Sequence, residues 1–152
     1  FHRYSTDERW LVPHFEKMLY DNAVLSFVYV EAFQVTGKAE YRETAREVLD
    51  YVLREMTDPQ GGFYSAEDAD SEGEEGTFYV WTPEQVESVL GPEKAKIFNR
   101  FYDVTRDGNF EGGRSILHRW TEPEAFALEQ NVPLNELNEI LSQGRKLLME
   151  AR

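Results

Sequence analysis

His14 stands beside Phe15 and Glu16, where an apolar, helix-periodic run begins. Histidine titrates near pH 6.5 in its ordinary state, which suits proton abstraction beside a sugar carbonyl. The plainer reading is a histidine that closes a helix N-terminus. His2 can pair with His14 across a β-ribbon. Arg3 can hold a carboxylate or sugar hydroxyls in a fork of hydrogen bonds, or else pair with Asp7 or Glu16. Glu16 and Tyr20 are spaced to share one helix face, and Lys17 and Asp21 a neighbouring one, where an ordinary ion pair is the simpler explanation. Buried polar groups of this kind need partners, which argues for a polar pocket without deciding between catalysis and a structural network. Tyr4, Trp10 and Tyr20 add aromatic faces to the same stretch.

A second acid-rich stretch runs from Gly61 to Trp81. Glu67, Asp68 and Asp70 could form the acid pair of a glycosidase, which needs two carboxyls at a set separation. Tyr64, Phe78 and Trp81 around them would suit sugar stacking. A solvated charge run explains the acids equally well. A calcium loop starting at Asp68 has acids at its first, third and fifth positions and glycine at its sixth, but Tyr79 stands where the closing glutamate is required. The loop starting at Asp103 fails in the same way at Arg114. No GxSxG, HExxH or phosphate-loop pattern occurs, and no metal site is predicted. Trp10, Trp81 and Trp120 can stack on sugars or serve as core and rim.

The elements that must position these residues are mostly helical. Phe1 to Tyr4 reads as a strand, Ser5 to Arg9 as a turn, and Leu11–Val12 as the returning strand. From His14 to about Val35 the pattern is helical, with Val24, Phe27, Val28, Val30 and Val35 filling the side that should be polar. A helix apolar all round is one buried all round. Gly37 is its C-cap. The next helix, about Lys38 to Met56, carries one apolar stripe (Tyr41, Ala45, Val48, Leu49, Val52, Met56) and a charged remainder, the mark of a surface helix. Gly62–Ser65 and Thr77–Trp81 read as two strands of one hairpin. Thr82-Pro83-Glu84-Gln85 is a capping box with proline at the first helical position. Its helix stops at Gly91, and Pro92 starts another through Phe101. Asp103 to Arg114 is loop and Ser115 to His118 a short strand. Thr121-Glu122-Pro123-Glu124 reads as a second capping box, and the last helix runs from about Leu134 to Ala151. Phe63-Tyr64-Ser65 echoes Phe1-His2-Arg3-Tyr4-Ser5, as connecting ribbons in a ring of helix hairpins would.

The 152 residues can bury an ordinary core, and 41% apolar content argues against disorder. A net charge of −13 disfavours nucleic acid and anionic membrane surfaces. The absence of cysteine excludes disulfides and thiolate chemistry, and fits a reducing, cytoplasmic setting.

At HRYSTDERWLVPHFEKMLYDNA and GGFYSAEDADSEGEEGTFYVWT, and again at FYDVTRDGNFEG and ILHR, the sequence closely resembles the thioredoxin-domain-containing, YyaL and spermatogenesis-associated type of protein. The resemblance implies a mainly α fold, a partial (α/α)6 toroid of the six-hairpin glycosidase kind with short β-ribbons at one face. It is similar to N-acylglucosamine 2-epimerase. Residues 1–152 would be a fragment of that toroid, without the thioredoxin-like domain and the later helix pairs. A sugar epimerase or isomerase follows by analogy, with a sugar as ligand and no cofactor. His14, Glu16, Asp21, Asp68 and Asp70 would then be catalytic, and His2, Arg3, Tyr4, Trp10, Lys17, Tyr20, Tyr64, Glu67 and Trp81 would bind substrate. A non-catalytic scaffold for the thioredoxin-like domain and a paired-carboxylate glycosidase are the alternatives. Apolar faces left open by an incomplete ring would drive self-association.

Overall fold

The computed structural model describes residues 1–152. The chain is mainly helical, with short antiparallel strand pairs, and divides into two units, Phe1–Gly76 and Thr77–Arg152. No helix is long and apolar enough to cross a membrane.

The first unit opens with a chain reversal rather than the expected two-stranded ribbon: a single bridge joins Ser5 to Pro13. Asp7 organises it. Its carboxylate accepts from the backbone N–H groups of Arg9, Leu11 and Val12 at 2.8, 3.0 and 2.6 Å. Those bonds, led by Val12, hold its carboxyl below the usual range. Three donors tied to one side chain leave few for a ladder, which explains the missing strand pair.

β1 (Lys17–Met18) follows, and only then α1 (Leu19–Thr36). The helix therefore begins later than the expected His14. The residues before it are extended because β1 pairs antiparallel with β2 (Ala66–Glu67), and Leu19 N–H donates to Ser65 O at 2.9 Å. Gly37 closes α1 at φ 69°, as its position predicts, donating to Phe33 O.

α1 packs along α2 (Ala39–Glu55). Here the expectation of burial on all sides is corrected. The buried residues of α1 are Asn22 and Ser26, whereas Phe27 is 63% and Val35 86% exposed, with Val24, Val28 and Val30 also open. One helix neighbour covers one stripe, and this unit supplies α1 with a single helix. α2 behaves as predicted in burying Ala45, Val48, Val52 and the following Met56, although Leu49 faces outward.

β3 (Asp70–Ser71) and β4 (Glu74–Glu75) form a tight hairpin whose turn residues Glu72 and Gly73 sit at φ 57° and 85°. The expected pairing of residues 62–65 with 77–81 is thus replaced. Phe63 bridges to Thr57, β2 pairs with β1, and Thr77–Tyr79 is a 3-10 turn.

In the second unit, β5 (Val80–Trp81) pairs antiparallel with β6 (Ser115–Ile116). α3 (Pro83–Leu90) starts on the predicted capping box: Gln85 N–H donates to Thr82 Oγ1, and Thr82 N–H donates to Gln85 Oε1. Gly91 at φ 76° separates it from α4 (Pro92–Phe101). α5 (Pro123–Gln130) begins without the expected second box, since Glu122 is the N-cap and makes no capping bond. α6 (Leu134–Glu150) lies against α3, α4 and α5. Their shared core centres on Phe98, Phe101, Val86, Leu137 and Leu141.

Candidate functional site

The polar side chains that converge in the first unit are held by the chain reversal, the start of α1 and the β3–β4 hairpin. His14 Nδ1 lies 2.9 Å from Glu75 Oε1, and the same oxygen accepts from Phe15 N–H at 3.2 Å. These two bonds, the one from His14 foremost, hold the Glu75 carboxyl below its usual range. An ionised carboxylate only accepts, so Nδ1 carries the proton and Nε2 is the end that can exchange one. Nε2 lies 3.8 Å from Glu16 Oε2. Tyr4 stacks on the imidazole at 4.9 Å between centroids.

Glu16 accepts from Arg3 Nη1 at 3.2 Å, and Arg3 Nε lies 3.9 Å from Asp21 Oδ2. That oxygen is shut off from solvent without a hydrogen-bond partner. The Arg3 guanidinium also lies over Tyr20, 5.8 Å from the ring centre. Arg3, Tyr4, His14, Glu16, Tyr20 and Asp21 therefore share one neighbourhood.

A second group adjoins it in sequence. Lys17 pairs with Glu67 at 3.3 Å and sits over the Tyr51 ring at 4.5 Å, while Tyr51 Oη donates to Glu67 in a short bond. Burial lowers the Lys17 amine, opposed by Glu67. Burial, aided by the Glu67 bond, raises the Tyr51 hydroxyl, which remains a donor at neutral pH.

His2 lies behind the cluster, edge-on to Phe15. Its Nδ1 is 2.9 Å from the Phe15 carbonyl oxygen and must donate, since a carbonyl only accepts. Burial lowers this imidazole to about 4. In the unfolded chain histidine titrates near 6.5. The native state refuses a proton that the unfolded state takes up, so stability is full above that pH and falls as pH drops toward about 4. His2→Asn keeps a donor for Phe15 and removes the titration. Denaturation midpoints of the intact protein between pH 7 and 4 are expected to fall less steeply in the variant. Equal slopes would contradict a neutral, partly buried imidazole.

The remaining candidates lie elsewhere or turn away. Asp70 sits opposite Glu75 in the β3–β4 ladder, at the edge of the cluster, and Asp68 accepts from Asp70 N–H at 3.2 Å within its own loop. Tyr64 donates to Asp58 at 2.7 Å. Trp10 is 80% exposed at φ 58° on the reversal. Trp81 is in the core of the second unit, under the Arg152 guanidinium. No three His, Asp or Glu residues are grouped so as to hold a metal ion. Glu75 and Tyr51 are the residues that sequence reasoning missed. The Glu72-Gly73 turn was the available signal for Glu75, because a two-residue turn folds it back against Asp70.

A mainly helical chain with a helix hairpin and a polar cluster beside it is the class these features define. No family model matches it. Along its whole length the chain is 37% identical to Spermatogenesis-associated protein 20 of Mus musculus and 38% identical to that of Homo sapiens. It is 29% identical to an uncharacterized protein of Caenorhabditis elegans. The similarity covers 100% of this chain and 22% of each mammalian relative, so the chain spans about a fifth of their length. The chain is thus similar to one stretch of the Spermatogenesis-associated protein 20 sequences.

Proposed function

We propose that the chain is part of a carbohydrate-processing domain in which the His14 cluster receives a sugar and His14 moves a proton beside its carbonyl. The observation that carries this reading is the contact of His14 Nδ1 with Glu75. Glu75 holds Nδ1–H at 2.9 Å, which leaves Nε2 as the basic end beside Glu16. Arg3 offers a fork of donors to hydroxyl or carboxylate oxygens, steadied by Glu16 and Asp21. Tyr4 and Tyr20, both about half exposed, offer ring faces to a sugar, and Asp70 stands at the rim. In this reading α1 and α2 form one helix pair of an epimerase-like (α/α) toroid, attached to a thioredoxin-like domain.

The test is a thermal-shift screen of the intact protein against aldoses, ketoses and N-acylated amino sugars. At least one sugar is expected to raise the midpoint in the parent and, more weakly, in Arg3→Ala. A screen in which no sugar shifts the midpoint would overturn the reading.

The alternative, a non-catalytic scaffold that binds a protein partner or itself, draws on the open apolar positions Val24, Phe27, Val28 and Val35 of α1. Sedimentation of the intact protein, in which a closed toroid would cover these positions, discriminates. Self-association that Phe27→Glu abolishes favours the scaffold, and a monomer at all working concentrations opposes it.

A further inference from the structure

The second unit carries a groove of about 370 Å³ lined by Phe101, Tyr102, Arg119, Pro123, Leu141 and Arg145, with Asn138 and Ser142 at its side. We propose that this groove binds a small oxyanion, a carboxylate or phosphate group, attached to a flat apolar body.

Charge singles it out first. The protein has 29 acidic and 16 basic residues, yet two arginines and no acid line the groove. Arg145 Nη1 donates to Tyr102 Oη at 2.8 Å and pairs with no carboxylate. A neutral partner fixes the guanidinium without neutralising it, so its other N–H groups stay available for a forked bond to an oxyanion. Arg119 reaches Glu122 through one nitrogen at 3.4 Å, a long contact between exposed groups that a bound anion can displace.

Helix geometry adds a second contribution. Pro123, the first residue of α5, lines the groove, and the helix has no side-chain cap. Its first turn offers N–H groups that no side chain caps, alongside the carboxylates of Glu122 and Glu124. Part of the floor is apolar: Phe101 and Leu141 back it from the core, and Tyr102 packs against Phe101 at 4.9 Å. Such a floor favours a ligand with a ring over a bare ion.

Titration calorimetry of the intact protein with phenyl phosphate, benzoate and inorganic phosphate at low salt tests this. Saturable binding of either aromatic anion, tighter than inorganic phosphate, is expected. Arg145→Ala should weaken it about tenfold. Arg106→Ala, which removes an exposed arginine outside the groove, should leave it within about twofold. Phenyl phosphate above benzoate assigns a phosphate ester, and the reverse a carboxylate. No saturable binding, or equal weakening by both substitutions, would overturn the proposal.

Discussion

Replacing Phe98 by alanine is expected to destabilise the intact protein by about 3–5 kcal/mol, the usual range for truncating a large buried aromatic ring. Phe98 is fully buried and packs on Tyr102 at 4.6 Å. Its other side meets α6 where a glycine allows the closest approach: a Cβ at Gly144 would lie 2.6 Å from the Phe98 ring and 3.3 Å from Leu90. Neither α6 nor α4 can close over the vacancy without moving several other core side chains. The same contact supplies a check by double substitution. Gly144→Ala in the parent should be destabilising through overpacking, despite alanine's better helix propensity. In the Phe98→Ala background the clash is gone, and Gly144→Ala should become neutral or stabilising. Denaturant midpoints read both. Additive effects of the two changes would contradict direct packing of ring on helix backbone.

The second large effect is expected at Gly76. Its φ is +76°, and a Cβ there would lie 2.4 Å from Cε2 of Phe15, a ring that is 1% exposed. Left-handed backbone costs a side-chain-bearing residue about 1–2 kcal/mol, and overpacking adds about 1–3 kcal/mol. Gly76→Val should therefore destabilise by several kcal/mol. It should also loosen the cluster, because Glu75 precedes it and holds both His14 and Phe15 N–H. The imidazole NMR signals of His14 are expected to shift in a milder Gly76→Ala protein that remains folded. A folded Gly76→Ala protein with unchanged stability and His14 signals would contradict the packing described.

What the sequence made legible follows local rules. The α2 stripe, the Gly37 cap, the Thr82–Gln85 box and the Gly91-Pro92 break each depend on residues within a turn or two of one another. What it hid is set by distant partners. Periodicity shows that α1 is apolar all round but not how many neighbours will cover it. The strand pairs are two residues long, too short for alternation to register, and Lys17–Met18 is extended only because Ala66–Glu67 lies beside it. His14 stood out by residue type and place. Its partner Glu75 was masked by the acids around it, and Trp81, attractive as a stacking surface, turned out to be core.

The most direct measurement is solvent deuterium incorporation into sugars at the carbon beside the carbonyl, followed by NMR with the intact protein and with His14→Gln. Incorporation by the parent into at least one sugar, lost in a His14→Gln protein that remains folded, is the predicted result. Incorporation that persists without the imidazole, or none into any sugar tried, would contradict proton transfer at His14.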